Sequence, residues 1–401
     1  MHTAYLREFT LDPTIRFLNH GSFGACPRAV QEAQRGFRDA LEREPVQFLV
    51  RHLEPLLDET RTALAAFVGA DPAGLVFVPN ATTGVATALA ALDDLAPGDA
   101  LLVTDHGYNA CRNAIERIAA RTGAVVQVAR LPFAGADEEA LVAAILDAVT
   151  PRTRYALLDH VTSPTALVLP IARLVASLRE RGVETIVDGA HAPGMLPLDV
   201  SAIDAAWYTG NCHKWIAAPK GAAFLVTRAD RRDRTPPLVT SHGANSPRTD
   251  RSRYLLEHDW CGTHDPSAVL AIPMALRTMA ALLPGGFPAL MTHNRALALE
   301  GRAILADALG LDAPLPDAAR LGTMAALPLP KSPWDDAPRD PNALFDPLQT
   351  ALFDRHRIEV PIIPWPALGL RFVRVSGQLY NDASDYHALV AALRAEGAIP
   401  G

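Results

Sequence analysis

Glu184-Thr185-Ile186-Val187-Asp188-Gly189-Ala190-His191 is a short apolar run that ends in an aspartate, a glycine and a histidine. A second run, Ala205-Ala206-Trp207-Tyr208, leads into Thr209-Gly210-Asn211-Cys212-His213-Lys214-Trp215, and a third, Ala222–Val226, follows. Short apolar runs bounded by turn residues read as strands buried on both faces. The distance between Asp188 and Lys214 fits one intervening helix-plus-strand unit, so both fall at the same sheet edge. In doubly wound α/β sheets, ligands bind beyond the carboxyl ends of the strands. That edge therefore supplies the candidate residues.

Outward from this stretch, the same pattern gives strands at Leu75–Val78, Ala100–Thr104, Val125–Ala129 and Arg154–Asp159. Helix-length segments lie between them at Thr83–Leu92, Asn109–Arg121, Glu138–Val149 and Ile171–Arg181. The alternation predicts an α/β fold with a mostly parallel seven-stranded sheet. Past residue 265 the pattern changes. Ala268–Leu283 and His293–Leu309 read as helices, and Asp312 to Asn342 is rich in Pro and Asp, with a strand-like piece at Thr323–Leu327. Helix Leu344–Arg355, a β-rich stretch from Ile358 to Val375 and helix Ala383–Glu396 complete a smaller α+β unit. The expected division is a large domain over 15–265 and a small one over 266–401 together with 1–14.

Composition narrows the partner. A net charge of −7 argues against a duplex-binding surface, and no basic run appears. Cys26, Cys111, Cys212 and Cys261 show no C-x-x-C spacing, a pattern of reduced thiols rather than disulfides or structural zinc. No apolar targeting core opens the chain, and no uncharged apolar run approaches the ~20 residues of a membrane span. The expectation is a cytoplasmic protein with a small-molecule partner, no nucleic acid and no membrane. Of 37 Lys and Arg, only Lys214, Lys220 and Lys331 are Lys, so lysine chemistry has few candidates.

Each strand end offers residues with a plain reading beside a chemical one. Asn80-Ala81-Thr82-Thr83-Gly84 opens a helix, as an ordinary cap or as a phosphate cup at the positive end of the helix dipole. His106 and Tyr108, in Asp105-His106-Gly107-Tyr108-Asn109, belong to a surface turn, or lie on an aromatic ring and move protons. Asp188 at the end of an apolar strand needs a partner: a helix terminus, a metal shared with His191, or a protonated pyridine nitrogen. Lys214, flanked by Trp215 and Ile216, reads as a desolvated amine of lowered pKa, able to attack an aldehyde, whereas Lys220 reads as a surface lysine. Phosphate cup, stacking residue, carboxylate and desolvated lysine, in that order, make up the set that pyridoxal phosphate requires.

These residues resemble the class V aminotransferase superfamily of fold-type I pyridoxal-phosphate enzymes, and within it the isopenicillin N epimerase-like group with its carbon–sulfur lyases. The specific parts are Asn19-His20-Gly21-Ser22-Phe23-Gly24, His213-Lys214-Trp215 and Arg374-Val375-Ser376-Gly377. The resemblance implies that Lys214 is the Schiff-base lysine, that Asp188 faces the pyridine nitrogen and that His106 stacks on the ring. It places His191 at the ring's phenolic oxygen and Asn80, Thr82, Thr83, Asn211 and His213 at the phosphate. Ser163 stands where relatives carry Asn beside the ring. Thr263 would reach the phosphate of the other subunit, implying a homodimer. Arg374 would grip the substrate carboxylate, with Asn19, His20 and Ser22 lining the substrate pocket. No metal is implied.

Sulfur-accepting desulfurases of this superfamily carry a cysteine on a small-domain loop, and Ile358–Phe372 has none. The expected activity is bond cleavage at the α-carbon of an amino acid, with Lys214 as base and Tyr108 as a candidate acid. The ranking puts β-elimination of a carbon–sulfur bond first, epimerisation second and transamination third. A metal hydrolase using Asp188, His191 and His213, and a non-catalytic relative, are the readings from other classes.

Overall fold

In the computed structural model, residues 3–311, 313–335, 345–367 and 369–401 are described. Strands in chain order are β1 (Arg16–Phe17), β2 (Leu75–Val78), β3 (Ala100–Thr104), β4 (Val125–Ala129), β5 (Thr153–Asp159), β6 (Glu184–Asp188), β7 (Trp207–Asn211) and β8 (Ala223–Thr227). The C-terminal part adds β9 (Met324–Pro328), β10 (Ile358–Glu359), β11 (Ile362–Pro364) and β12 (Arg371–Ser376).

The large sheet runs β2-β8-β7-β6-β5-β3-β4, with β8 antiparallel to both neighbours and the other pairings parallel. Successive side chains of a strand face opposite ways, and the core shows that period. Leu102, Ala156, Leu158, Val187 and Phe224 join one buried cluster, whereas Leu101, Val103, Tyr155, Leu157, Ile186 and Leu225 join the cluster on the other face. Helices cover both faces. The α/β expectation holds, and the parallel strands bring Thr104, Asp159, Asp188 and Asn211 to one edge.

Several sequence expectations shift, among them the helix expected at His293–Leu309, which runs Gly286–Leu309. The strand expected at Ala205–Tyr208 is Trp207–Asn211. Its ladder with β8 continues through Thr209-Gly210-Asn211 although those residues are polar or small. Gly210 is needed there, because a Cβ would lie 2.7 Å from Pro193 and 2.8 Å from Phe224. The helix expected at Ala268–Leu283 divides into Ser267–Leu270 and Ile272–Ala281. Pro273, which lacks an N–H, opens the second piece. The start expected at Leu344 lies outside the described residues, and the helix there runs Pro347–His356. Helices Arg28–Arg43 and Leu53–Val68 precede the sheet.

The smaller sheet, β11-β12-β9, is antiparallel. β1 pairs in parallel with β10, which ties the segment before Asn19 to the C-terminal part of the chain. Among the described residues no single helix is long and apolar enough to cross a membrane.

Candidate active site

At the carboxyl edge of the large sheet lies a cavity of about 390 Å³ lined by Asp188, His191 and Lys214, with Asn80 and Thr82 on one side and Tyr108 and Ser163 on another. Lys214 follows β7 in a turn and points inward, its Nζ 3.1 Å from Nε2 of His191. Burial pulls its pKa down to about 7, Arg374 pushes the same way, and Asp188 and Asp159 oppose. His191 is buried, and its pKa is held well below normal by burial and then by Lys214. A neutral imidazole therefore faces the amine, and its buried Nδ1 has no partner among the described residues.

Asp188, the last residue of β6, accepts from the Ala190 amide at 3.0 Å and from the Cys111 thiol at 3.2 Å. On the far side, helix Ala81–Ala90 is capped by Asn80, whose Oδ1 accepts from Thr83 N–H at 2.9 Å and from its hydroxyl at 3.1 Å. Asn211 Oδ1 accepts from Ala81 N–H at 2.8 Å. Thr82 is left exposed on the cavity wall beside His213, whose Nδ1 contacts the Ala222 carbonyl at 3.2 Å. This helix sits close to the sheet because residue 84 is glycine: a Cβ would meet Thr209 Oγ1 at 2.1 Å.

Arg374 of β12, in the C-terminal part of the chain, lines a second space that shares Ser22, Tyr108 and Ser163 with this cavity. Its Nη1 donates to the Ser163 carbonyl and, at 3.3 Å, to Ser163 Oγ, and its Nη2 donates to Ser22 Oγ at 3.1 Å. The residue is 3% exposed, and burial lowers its pKa to about 10. No carboxylate among the described residues lies within 4.0 Å of it, although most buried guanidinium groups are paired. Ser22 is held in turn by Asn19 Oδ1, and Asn19 by Glu359 at 3.0 Å. A larger space of about 940 Å³, lined by Asn19, Glu359, Trp365 and Arg374, opens outward from Tyr108 and Ser163.

Some expected site residues lie elsewhere. His106 does not line the cavity: it is fully buried, with Nδ1 2.7 Å from Thr165 Oγ1, Nε2 3.2 Å from the Leu131 carbonyl and its ring edge-on to Trp365. Those contacts fix the ring in the interior, and Tyr108, 45% exposed, occupies the cavity wall instead. His20 sits behind the lysine rather than in a substrate pocket, with Nε2 at the Lys214 carbonyl (3.0 Å) and Nδ1 at Tyr380 Oη (2.7 Å). Asn19 lines the outer space alone. Thr83 turns its hydroxyl to Asn80 and lines, with Thr263, a separate apolar pocket between Leu53 and Val269.

Others enter that the sequence reading did not single out. Asp159 ends its apolar strand as Asp188 does, a signal equally visible in sequence. Cys111 reads as a scattered thiol until the fold sets it against Asp188. Lys220, read as a surface lysine, is exposed yet borders the cavity and donates to the Gly24 carbonyl at 2.9 Å.

The donors fit a flat, phosphate-bearing heterocyclic aldehyde: a partnerless imidazole nitrogen, a buried carboxylate, a helix N-terminus with a free threonine and an amine of lowered pKa. The chain matches the family described as aminotransferase class V over residues 26–336. It belongs to that family. As a class V enzyme it depends on pyridoxal phosphate. It is 37% identical over 399 residues to an isopenicillin N epimerase of Streptomyces clavuligerus, covering 96% of each chain. A probable chloroplastic L-cysteine desulfhydrase of Arabidopsis thaliana is 32% identical over 95% of this chain and 83% of its own. The cystine C–S lyase C-DES, solved with cysteine persulfide, superposes with a TM-score of 0.79 at 23% identity, covering 95% of this chain and 97% of that one, and shares the fold.

Proposed function

We propose that the protein breaks a bond at the α-carbon of an amino acid, by β-elimination at a carbon–sulfur bond. The observation that carries the reading is Arg374, a buried guanidinium with no carboxylate within 4.0 Å among the described residues, which lines the space adjoining the Lys214 cavity, where burial and then Arg374 itself bring the Lys214 pKa down to about 7. A carboxylate gripped there completes the charge balance, and a planar bidentate donor suits it.

Pyridoxal phosphate, when bound, supplies an aldehyde for the amine and an electron sink for the charge left at Cα. Lys214 is the residue that carries it and that afterwards takes the Cα proton. Asp188 would hold the ring nitrogen, His191 the phenolic oxygen, and Asn80, Thr82, Asn211 and His213 the phosphate. Arg374, held by Ser163 and Ser22, fixes the carboxylate and with it the orientation of the Cα–H bond. Tyr108 is the group at hand to protonate a leaving group.

Desulfhydrase relatives support elimination. The epimerase relative at 37% identity supports a second reading, in which Tyr108 protonates the opposite face of Cα. Transamination stands third. A metal hydrolase using Asp188, His191 and His213 is the reading from another class; among the described residues no group of three or more His, Cys, Asp or Glu is arranged to hold a metal. We place the enzyme in the cytoplasm as a homodimer, Thr263 of one subunit facing the other's phosphate, and divide the chain near residue 265. The test is to incubate the loaded protein with a panel of L-cysteine, S-substituted cysteines and other amino acids. Release of ammonia and a keto acid supports elimination, loss of optical rotation without ammonia supports epimerisation, and keto-acid-dependent exchange supports transamination. No turnover of any member would sink all three.

A further inference from the structure

Asp159 and Asp188 are register partners at the ends of the adjacent parallel strands β5 and β6. Side chains at paired positions of neighbouring strands point to the same face, and both line the cavity that holds Lys214. Asp159 is 6% exposed and Asp188 4%. Asp188 has two donors, Ala190 N–H and Cys111 Sγ, whereas no side chain among the described residues donates to Asp159 or forms an ion pair with it. We infer that Asp159 is a second carboxyl group of the cofactor site, neutral beside Asp188 and able to take over the negative charge that faces the ring nitrogen. The inference rests on the reading that pyridoxal phosphate binds here with its nitrogen at Asp188.

Two carboxylates in one buried site cannot both ionise freely. The groups around Asp159 are Asp188 on β6, Lys214 after β7, Cys111 on helix Asn109–Thr122 and the Tyr108 amide in the turn after β3. The Tyr108 amide and Lys214 favour the ionised form, and burial together with Asp188 disfavours it more strongly, so the Asp159 pKa stands well above its ordinary value. Cys111, whose own pKa is raised by burial and by Asp188, is a thiol and brings no charge. The proton therefore rests mainly on Asp159. When the charge at 188 is removed, Asp159 is free to ionise and take its place.

The experiment is a double-mutant cycle on the loaded holoprotein, with D159N, D188N and the double variant, reading the pH at which the visible band titrates and the Kd for pyridoxal phosphate. D159N alone replaces one neutral group by another, so the titration pH should move by less than ~0.3 unit and Kd by less than ~3-fold. On the D188N background the same change removes a charge. There it should lower the titration pH by ~1 unit or more and weaken binding ~10-fold or more. A merely structural role would cost the same on both backgrounds. Equal effects, or a shift of a unit or more in D159N alone, would overturn the inference. Infrared spectra of wild type and D159N give a second check that does not require D188N to fold. A protonated-carboxyl carbonyl stretch at neutral pH, lost in D159N, is expected, and an identical spectrum would overturn it. Absence of any visible band in the wild-type protein would instead overturn the cofactor reading beneath it.

Discussion

Replacing Arg374 by methionine keeps the length and apolar stem of the side chain and removes the guanidinium. The free enzyme loses three hydrogen bonds to Ser163 and Ser22, but it also loses a buried cation with no anion among the described residues. These effects oppose each other, so Tm should move by no more than a few degrees. Substrate binding has no such offset. Two charge-assisted bonds to a carboxylate contribute roughly 3–5 kcal/mol in a buried site, and the carboxylate would enter unpaired. At about 1.4 kcal/mol per decade, kcat/KM should fall by ~10² to ~10⁴. Arg374 also depresses the Lys214 pKa, so the Lys214 amine should titrate at higher pH in the variant. The assay is steady-state product release with thermal melts in parallel. A kcat/KM within tenfold of wild type at unchanged Tm would refute the assignment of Arg374.

Three further outcomes follow from the geometry. Lys214 in the apoprotein should become reactive toward an amine-directed acylating agent with a midpoint near pH 7 rather than the ordinary 10.5, because burial favours the neutral amine. The sign for stability follows: between those two values the unfolded chain binds the extra proton, so this group adds stability as pH rises through that window. Gly84→Ala drives a Cβ into Thr209 and should cost roughly 1–3 kcal/mol, read as a lowered Tm and weaker cofactor binding, since that helix carries Asn80 and Thr82. Tyr108→Phe keeps the ring and removes the proton, and turnover reduced ~10²-fold or more is expected if Tyr108 is the acid; unchanged turnover removes it from that role.

The sheet is legible in sequence because most of its strands are buried and read as apolar runs, so Leu75–Val78 and Ala100–Thr104 agree with the structure residue for residue, as does the half-exposed edge strand Val125–Ala129. β7 is not, since its last three residues are held by pairing with β8 rather than by their own propensity. The same divide runs through the site. Lys214, Asp188 and Thr82 lie where strand ends and helix starts place them. His106 fails because a residue after a strand can turn either way, and the Thr165 hydroxyl and Leu131 carbonyl that hold it inward are distant in sequence. His20 fails similarly, its partners Tyr380 and Lys214 being brought together by the fold alone. Asp159 is as visible as Asp188 in the sequence, and its significance appears when the strands are seen as neighbours.

The most direct test of the account is reduction of the loaded protein with borohydride followed by peptide mapping. The chain has three lysines, so the site of attachment is unambiguous. The expected result is loss of the visible band and a phosphopyridoxyl group on the peptide containing Lys214, with none on Lys331. A label on Lys220 instead, or a protein that stays colourless and unlabelled with pyridoxal phosphate in excess, would contradict it.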